Sequence, residues 1–347
     1  MINKFYRLSG KLFGRKLNPE VSMNDAITLC PQQEQEVPPA IFLPEHLQKV
    51  TGVTINYDVA TMIRRLHQTH LIHAPSKMYA LGTTKLFGGG LWTNRNEYIR
   101  RLIDEKDHFP HIHLSQAVVT DFDHGYKHFG HWMRDVLPAS MVAKPDIPSL
   151  SLGNPKYPHA EQYAKLFNLK TIYANKGSID NLFMLSDYAQ NSYKHKRYLM
   201  LRGNLKRNLN PKNTNYNGVF VARGKTGTDR TLKNAKELIG HLKAKGFDII
   251  FPETMTSEEI VRRLWNAKVV ITVEGSAHNH AIYTMALNGA LLTLQPPKRF
   301  EIIIKGACDC LGIGWGFYVC APSNDDEGFY VDSFDDLDRV IYQLQSR

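Results

Sequence analysis

Cysteine is scarce in this chain, with four in 347 residues, and no two of them form a CxxC pair. Cys30, Cys308, Cys310 and Cys320 therefore read as reduced, buried thiols. A zinc site on the last three lacks a fourth ligand. Long apolar runs are missing too: none approaches the roughly 18 residues of a membrane-spanning helix. The first residues carry charge but no apolar centre of the signal-peptide kind, so the expected location is the cytoplasm. No strand-like run is followed by GxGxxG, which speaks against a nicotinamide-dependent Rossmann enzyme. The Gly88-Gly89-Gly90 triplet has neither that spacing nor a Walker lysine and reads as a hairpin turn. HExxH is absent, so the histidines, His108, His111 and His113 among them, make a metal-dependent hydrolase only a secondary enzyme reading. Helix-turn-helix, zinc-finger and RNA-reader signatures are absent as well, and nucleic acid is not an expected partner.

What remains is a globular composition, 43% hydrophobic, 22% charged and 10% aromatic, at a length suited to two domains. The formal net charge of +10 fits phosphates, anionic lipids or acidic polysaccharides as partners. Phe5, Leu8 and Leu12 share one helical face among Lys4, Arg7, Lys11, Arg15 and Lys16. Such a segment suits peripheral contact of residues 1–16 with an anionic membrane. Ser9, Gly10 and Gly14 weaken that helix, so a frayed basic terminus is the competing reading.

Along the chain, residues 1–40 read as a basic, Pro-rich arm, 41–200 as an α/β domain, 201–215 as a basic linker and 216–347 as a second α/β domain. Asp58 to His70 has helical spacing, and Met78 to Trp92 reads as strands broken at Gly82. Gln116–Thr120 is a strand, and a helix follows from His128, ended or kinked at Pro138. Lys194 to Lys212 holds seven basic residues and no acid, the composition of a solvated connection. In the second half, strands at Gly218–Ala222, Phe247–Phe251, Val269–Val273 and Ala290–Leu294 alternate with helices at Leu232–Lys245 and Ile260–Ala267. Thr256 to Glu259 is a capping box. That alternation means a parallel, doubly covered sheet. The last helix, Leu337–Leu344, is free to pack back on the first domain.

Two clusters carry chemistry. Arg223, Lys225 and Arg230 leave one strand's carboxyl end; Glu274, Gly275, Ser276 and His280 leave another, where ligands of parallel sheets sit. Cations beside a helix start suit a diphosphate. Taken alone, each cation reads as a solvated surface charge. The second cluster places His128, His131 and Asp135 on one helical face with Trp132 alongside. A carboxylate beside an imidazole is a common general base, and a packed core pair is the plainer reading.

Phe129-Gly-His-Trp-Met-Arg-Asp-Val-Leu-Pro138 comes first. Val219–Arg223, Arg230–Asn234, Gly246-Phe247, Pro252-Glu253, Ala267, Glu274–Ser276, His280 and Pro296-Pro297 follow it. Together these motifs resemble glycosyltransferase family 61 in its bacterial capsular-polysaccharide-type branch. The resemblance spans about residues 115–300, and its specificity lies in order and spacing. It implies a GT-B-like α/β fold, two Rossmann-like domains with parallel sheets facing across a cleft. It also implies an inverting transfer from a nucleotide sugar to a glycan or lipid-linked glycan acceptor, with no cofactor and no metal. By the same resemblance Arg223 and Arg230 hold the diphosphate, while Glu274, Gly275, Ser276 and His280 shape the nucleotide-sugar pocket. Asp135 with His131 activates the acceptor hydroxyl, with His128 and Trp132 on the acceptor side. Ala235 and Glu274 depart from the family's usual residues and leave the donor open. A non-catalytic basic scaffold for polysaccharide or membrane is the reading from another class.

Overall fold

Val269–Val273 is β-branched throughout and buried at every position, as a strand covered on both faces must be. It is the middle strand of a five-stranded sheet running Phe247–Ile250, Gly218–Val221, Val269–Val273, Ala290–Gln295, Gly314–Val319. All neighbouring pairs are parallel. Counted along the chain the order is 2-1-3-4-5, a doubly wound sheet whose switch point lies between Gly218–Val221 and Val269–Val273. The computed structural model that shows this describes residues 26–54, 58–87, 90–93, 98–100, 109–121, 125, 127–224, 230–324 and 328–346. Residues 1–16, Gly88, Gly89, His108 and Lys225, all singled out above, lie outside the described residues.

The described residues form two compact units, 26–33 with 73–197 and 34–72 with 198–346. In the C-terminal unit the capping box is present: Thr256 accepts from the Glu259 N–H and Glu259 accepts from the Thr256 N–H. The preceding helix is shorter than its periodicity suggests, Ala235–Ala244. Asn234 holds both the N–H and the C=O of Val331, and Thr231–Leu232 pairs as a short strand with Gly328–Tyr330, so the helix starts only beyond them. The segment after Val273 yields only a single 3-10 turn, Ser276–His278, and a four-residue helix, Asn279–Ile282. A helix that short has little dipole, so the expected anion-attracting helix start is not there. The last helix is Phe334–Gln345, capped by Ser333. Its Leu337, Val340, Ile341 and Leu344 join the C-terminal core with Phe220, Ile271 and Leu292 rather than leaving it.

Residues 34–72, read as the end of the arm and the start of the first domain, supply His46 to this core. Its ring is buried edge-on against Tyr318, centroids 4.6 Å apart. Burial and Lys49 lower its pKa below 6.5, against the pull of Asp332, Asp336 and Glu45. The unfolded chain then takes up the proton first. His46 accordingly contributes stability that is complete above pH 6.5 and fades as the pH falls below it. Urea midpoints at pH 7.5 and 5.5 should therefore differ less for His46→Phe than for wild type; an equal drop would show that His46 is not titrating.

The N-terminal unit departs from the expected all-parallel sheet. Gly177–Ser186, Ile112–Val119, Ser149–Ser151 and Ile172–Tyr173 lie side by side in that order, each parallel to the next. Ala26–Cys30, Ser76–Phe87, Gly90–Thr93 and Tyr98–Arg100 add antiparallel pairs, giving a mixed eight-stranded sheet among the described residues. Gly82 does not break its strand: at φ +68° it sits within Ser76–Phe87 opposite a register shift near Leu182. Ala117, Val119, Leu150 and Leu182 fill the core beneath.

The basic stretch read as a linker is mostly a helix, Ser192–Leu209. Asn191 caps it by accepting the Lys194 N–H, and Asn210, at φ +40° before Pro211, stops it. Its cations are not all solvated. Arg197 makes a two-pronged pair with Asp187, 2.8 and 2.9 Å, and Asp187 also accepts from Ser76. Arg202 donates to the Tyr283 and Met285 carbonyls and stacks on Trp265. With Leu201 and Leu205 buried alongside, tertiary packing supplies what the composition hid.

Candidate functional site

At the switch point of the C-terminal sheet, three loops leave the carboxyl ends of strands Gly218–Val221, Val269–Val273 and Ala290–Gln295. They bring Arg223 and Arg230, then Glu274 and Gly275, then Arg299. Glu274 is 3% exposed; its N–H binds the Leu294 carbonyl, so the backbone there is fixed. Its Oε2 accepts from Arg299 Nε at 3.2 Å. Arg230 Nε lies 2.9 Å from the same oxygen but off the hydrogen-bonding direction, so this contact is charge attraction. Arg230 Nη1 instead donates to the Glu274 carbonyl, 3.3 Å.

Gly275 has φ +139° and ψ −177°, a backbone that side chains rarely adopt. A Cβ there would collide with Arg230 Nη1 and lie 2.9 Å from Arg223 Nη1. The missing side chain is what lets the two guanidinium groups meet. Burial pushes the Glu274 carboxyl up, opposed by Arg230, Arg299 and Arg223; burial also lowers Arg230, opposed by Glu274. Arg223, Arg230 and Arg299 thus gather round the buried Glu274, with Glu301 farther off and the Glu253 carboxylate against Gly224. Partly desolvated guanidinium groups offering planar N–H pairs suit a multiply charged oxyanion.

Of the other expected residues here, Ser276 is half-buried at the start of the 3-10 turn. His280 is buried, with its carbonyl accepting from Thr284. Arg299 was missed. Its only signal was a lone arginine after Pro296-Pro297, indistinguishable in sequence from a surface charge.

In the N-terminal unit, residues 129–140 form one helix with a π turn at Trp132–Val136. The Leu137 N–H reaches five residues back to the Trp132 carbonyl. This widened turn carries the helix past Pro138 to Ser140, so the proline neither ends it nor marks its boundary. His131 and Asp135 do meet: Nδ1 to Oδ2 is 3.0 Å. Arg134 Nη2 lies 3.0 Å from the same Oδ2 and 2.9 Å from the same Nδ1. Lys194, 0% exposed, stands 3.6 Å from Asp135 Oδ1 and donates to the Asp187 carbonyl at 2.7 Å.

Burial disfavours the Asp135 charge, but Arg134, the His131 hydrogen bond and Lys194 outweigh it and hold the carboxyl well below the usual range. A carboxylate held that low is a feeble base and a good hydrogen-bond anchor. His131, a third exposed at its side chain, is the group of the pair that reaches solvent.

His128 is exposed, its ring 5.9 Å from that of His131. Trp132 is 3% exposed, packed by Phe129 and Tyr157. It lines a cleft with Asp121, Ser140 and Tyr173 that holds little more than one water. At that burial its side chain packs the helix against its own unit.

Compared with known families, the chain matches the Glycosyltransferase 61 family model over residues 129–291. The match opens at the helix bearing His131 and Asp135 and closes inside the Ala290–Gln295 strand. It contains both clusters except Arg299. No curated protein matches the chain.

Proposed function

We propose, from the match of residues 129–291 to the Glycosyltransferase 61 family model, that the chain carries out an inverting, metal-independent transfer of a sugar from a nucleotide-sugar donor to a glycan hydroxyl. The proposal adopts the GT-B arrangement, with the C-terminal unit as donor half and the N-terminal unit as acceptor half. Its setting would be surface-polysaccharide or lipopolysaccharide assembly, cytoplasmic and peripheral to the membrane. The observation that carries it is the convergence of Arg223, Arg230 and Arg299 at the switch point of a doubly wound sheet.

In a single displacement the acceptor oxygen bonds to the anomeric carbon while the bond from that carbon to the diphosphate oxygen breaks. The nucleoside diphosphate leaves with the electron pair. Guanidinium groups already in place are suited to stabilise that developing charge. The acceptor proton goes to His131 Nε2, with Asp135 accepting from Nδ1–H to keep the outer nitrogen unprotonated. Arg134 Nη2 competes with the carboxylate for Nδ1, and Asp135 holds the proton there.

Thermal melts with a panel of nucleoside diphosphates test the donor half, because a ligand of the native state raises the melting temperature with occupancy. The matching nucleotide should stabilise wild type, and Arg223→Ala should weaken it roughly 10- to 100-fold, the loss of a charged hydrogen bond. If no nucleotide stabilises the protein, the non-catalytic scaffold takes its place.

A further inference from the structure

Glu274 lies among the arginines where an anionic ligand's charge would be expected. Its Oε2 draws on Arg230 and Arg299 at once, 2.9 and 3.2 Å away, while its main chain is tied to Leu294. Only its side chain is free to change partners. Arg299 is the more exposed of the two cations, 38% against 9%, and its loop lies beyond the family match.

We infer that Glu274 is an internal counter-ion that a diphosphate displaces, and that Arg299 is a third cation for that diphosphate. The inference rests on the donor reading above and deepens it. Without Glu274, three guanidinium groups would crowd one desolvated edge and repel each other; with it they stay assembled while the site is empty. A diphosphate brings more charge and more acceptor oxygens than one carboxylate, and so takes over Arg299 and the outer N–H groups of Arg230. Once the sugar has left, Glu274 reclaims them and speeds release of the nucleoside diphosphate, a step that limits many enzymes. A monoanion lacks the charge to make this exchange.

Three roles for Glu274 predict different signs. As a displaced counter-ion, its neutralisation strengthens diphosphate binding. As a ligand of the donor sugar, its neutralisation leaves binding of bare diphosphate unchanged. As a structural pair alone, its loss disorders the arginines and weakens binding.

Calorimetric titration of the full chain with inorganic pyrophosphate and with orthophosphate separates them. Glu274→Gln should bind pyrophosphate about tenfold more tightly, and Arg299→Gln about tenfold more weakly, each equivalent to roughly 1.4 kcal/mol. Orthophosphate should bind all forms far more weakly. In steady state, Glu274→Gln should lower kcat and KM together. Unchanged or weaker pyrophosphate binding by Glu274→Gln overturns the inference, as does full affinity in Arg299→Gln. Should Glu274→Gln fail to fold, Glu274→Asp, whose shorter reach loosens Arg299, should still tighten pyrophosphate, and no change there overturns it equally. Pyrophosphate binding with these shifts but no response to any nucleoside diphosphate would defeat the donor reading and leave the counter-ion in place.

Discussion

Asp135→Asn should lower transfer roughly 10³- to 10⁴-fold, the range seen when a carboxylate that orients a catalytic imidazole becomes an amide. The amide is nearly the same shape, but its NH₂ donates where the carboxylate accepts. Facing His131 Nδ1 at 3.0 Å, it favours an unprotonated Nδ1 and places the proton on Nε2, the nitrogen that must take up the acceptor's proton. Arg134, already 2.9 Å from Nδ1, pulls the same way. The loss should fall on kcat, with nucleoside diphosphate affinity within about twofold of wild type, since the donor cluster is built from other residues.

The variant also leaves Arg134 and the fully buried Lys194 short of a countercharge, a change that costs roughly 3–5 kcal/mol when a buried pair is broken. Melting temperature and nucleotide binding must therefore be measured beside activity. A folded, nucleotide-binding Asp135→Asn enzyme with near-normal turnover would remove Asp135 and His131 from the reaction. His131→Ala should match it in rate while sparing stability, because His131 is partly exposed and is not the counter-ion of Lys194.

The second large effect is at Gly275. Gly275→Ala should reduce diphosphate affinity by about 100-fold or more, the combined loss of two charged contacts at roughly 1.5–3 kcal/mol each. The added methyl meets the tips of Arg230 and Arg223, which are flexible and will swing aside. The fold survives and the convergence does not. The φ of +139° adds about 1–3 kcal/mol of backbone strain. Gly312→Ala is the control: φ is +72° there, and the nearest atom to its Cβ is 3.9 Å away. It should lower the melting temperature and leave nucleotide affinity alone. Equal affinity in Gly275→Ala and wild type would show that the two arginines do not act together over Gly275.

Much of the C-terminal half was legible because its signals are local. The apolar Val219-Phe220-Val221 and the β-branched run Val269–Val273 announce parallel strands, and Thr256 with Glu259 announces a helix start. Gly275 between a strand and a hydroxyl announces a turn. Each depends on residues within a few positions of each other. The same local logic failed at the segment after Gly275: helical spacing was present, but Asn279–Ile282 is only four residues long. It failed again at Ser192–Leu209, where charge suggested solvent and Asp187, 10 residues from Arg197, decided otherwise.

By itself, then, the amino-acid order determined an α/β protein, four of the five strands of its second sheet, with Gly314–Val319 left unread, and the two motifs proposed to hold the chemistry. Tertiary structure alone decided three further matters. It joined Ser76–Phe87 to Gly177–Ser186 and so made the first sheet mixed, because strand partners are chosen over distances at which periodicity is silent. It set Asp135 between Arg134 and Lys194, which turns the apparent base into the anchor of His131. And it carried Arg299 across the sheet edge to Glu274, because in a 2-1-3-4-5 sheet loops distant in sequence leave adjacent strand ends and share one field.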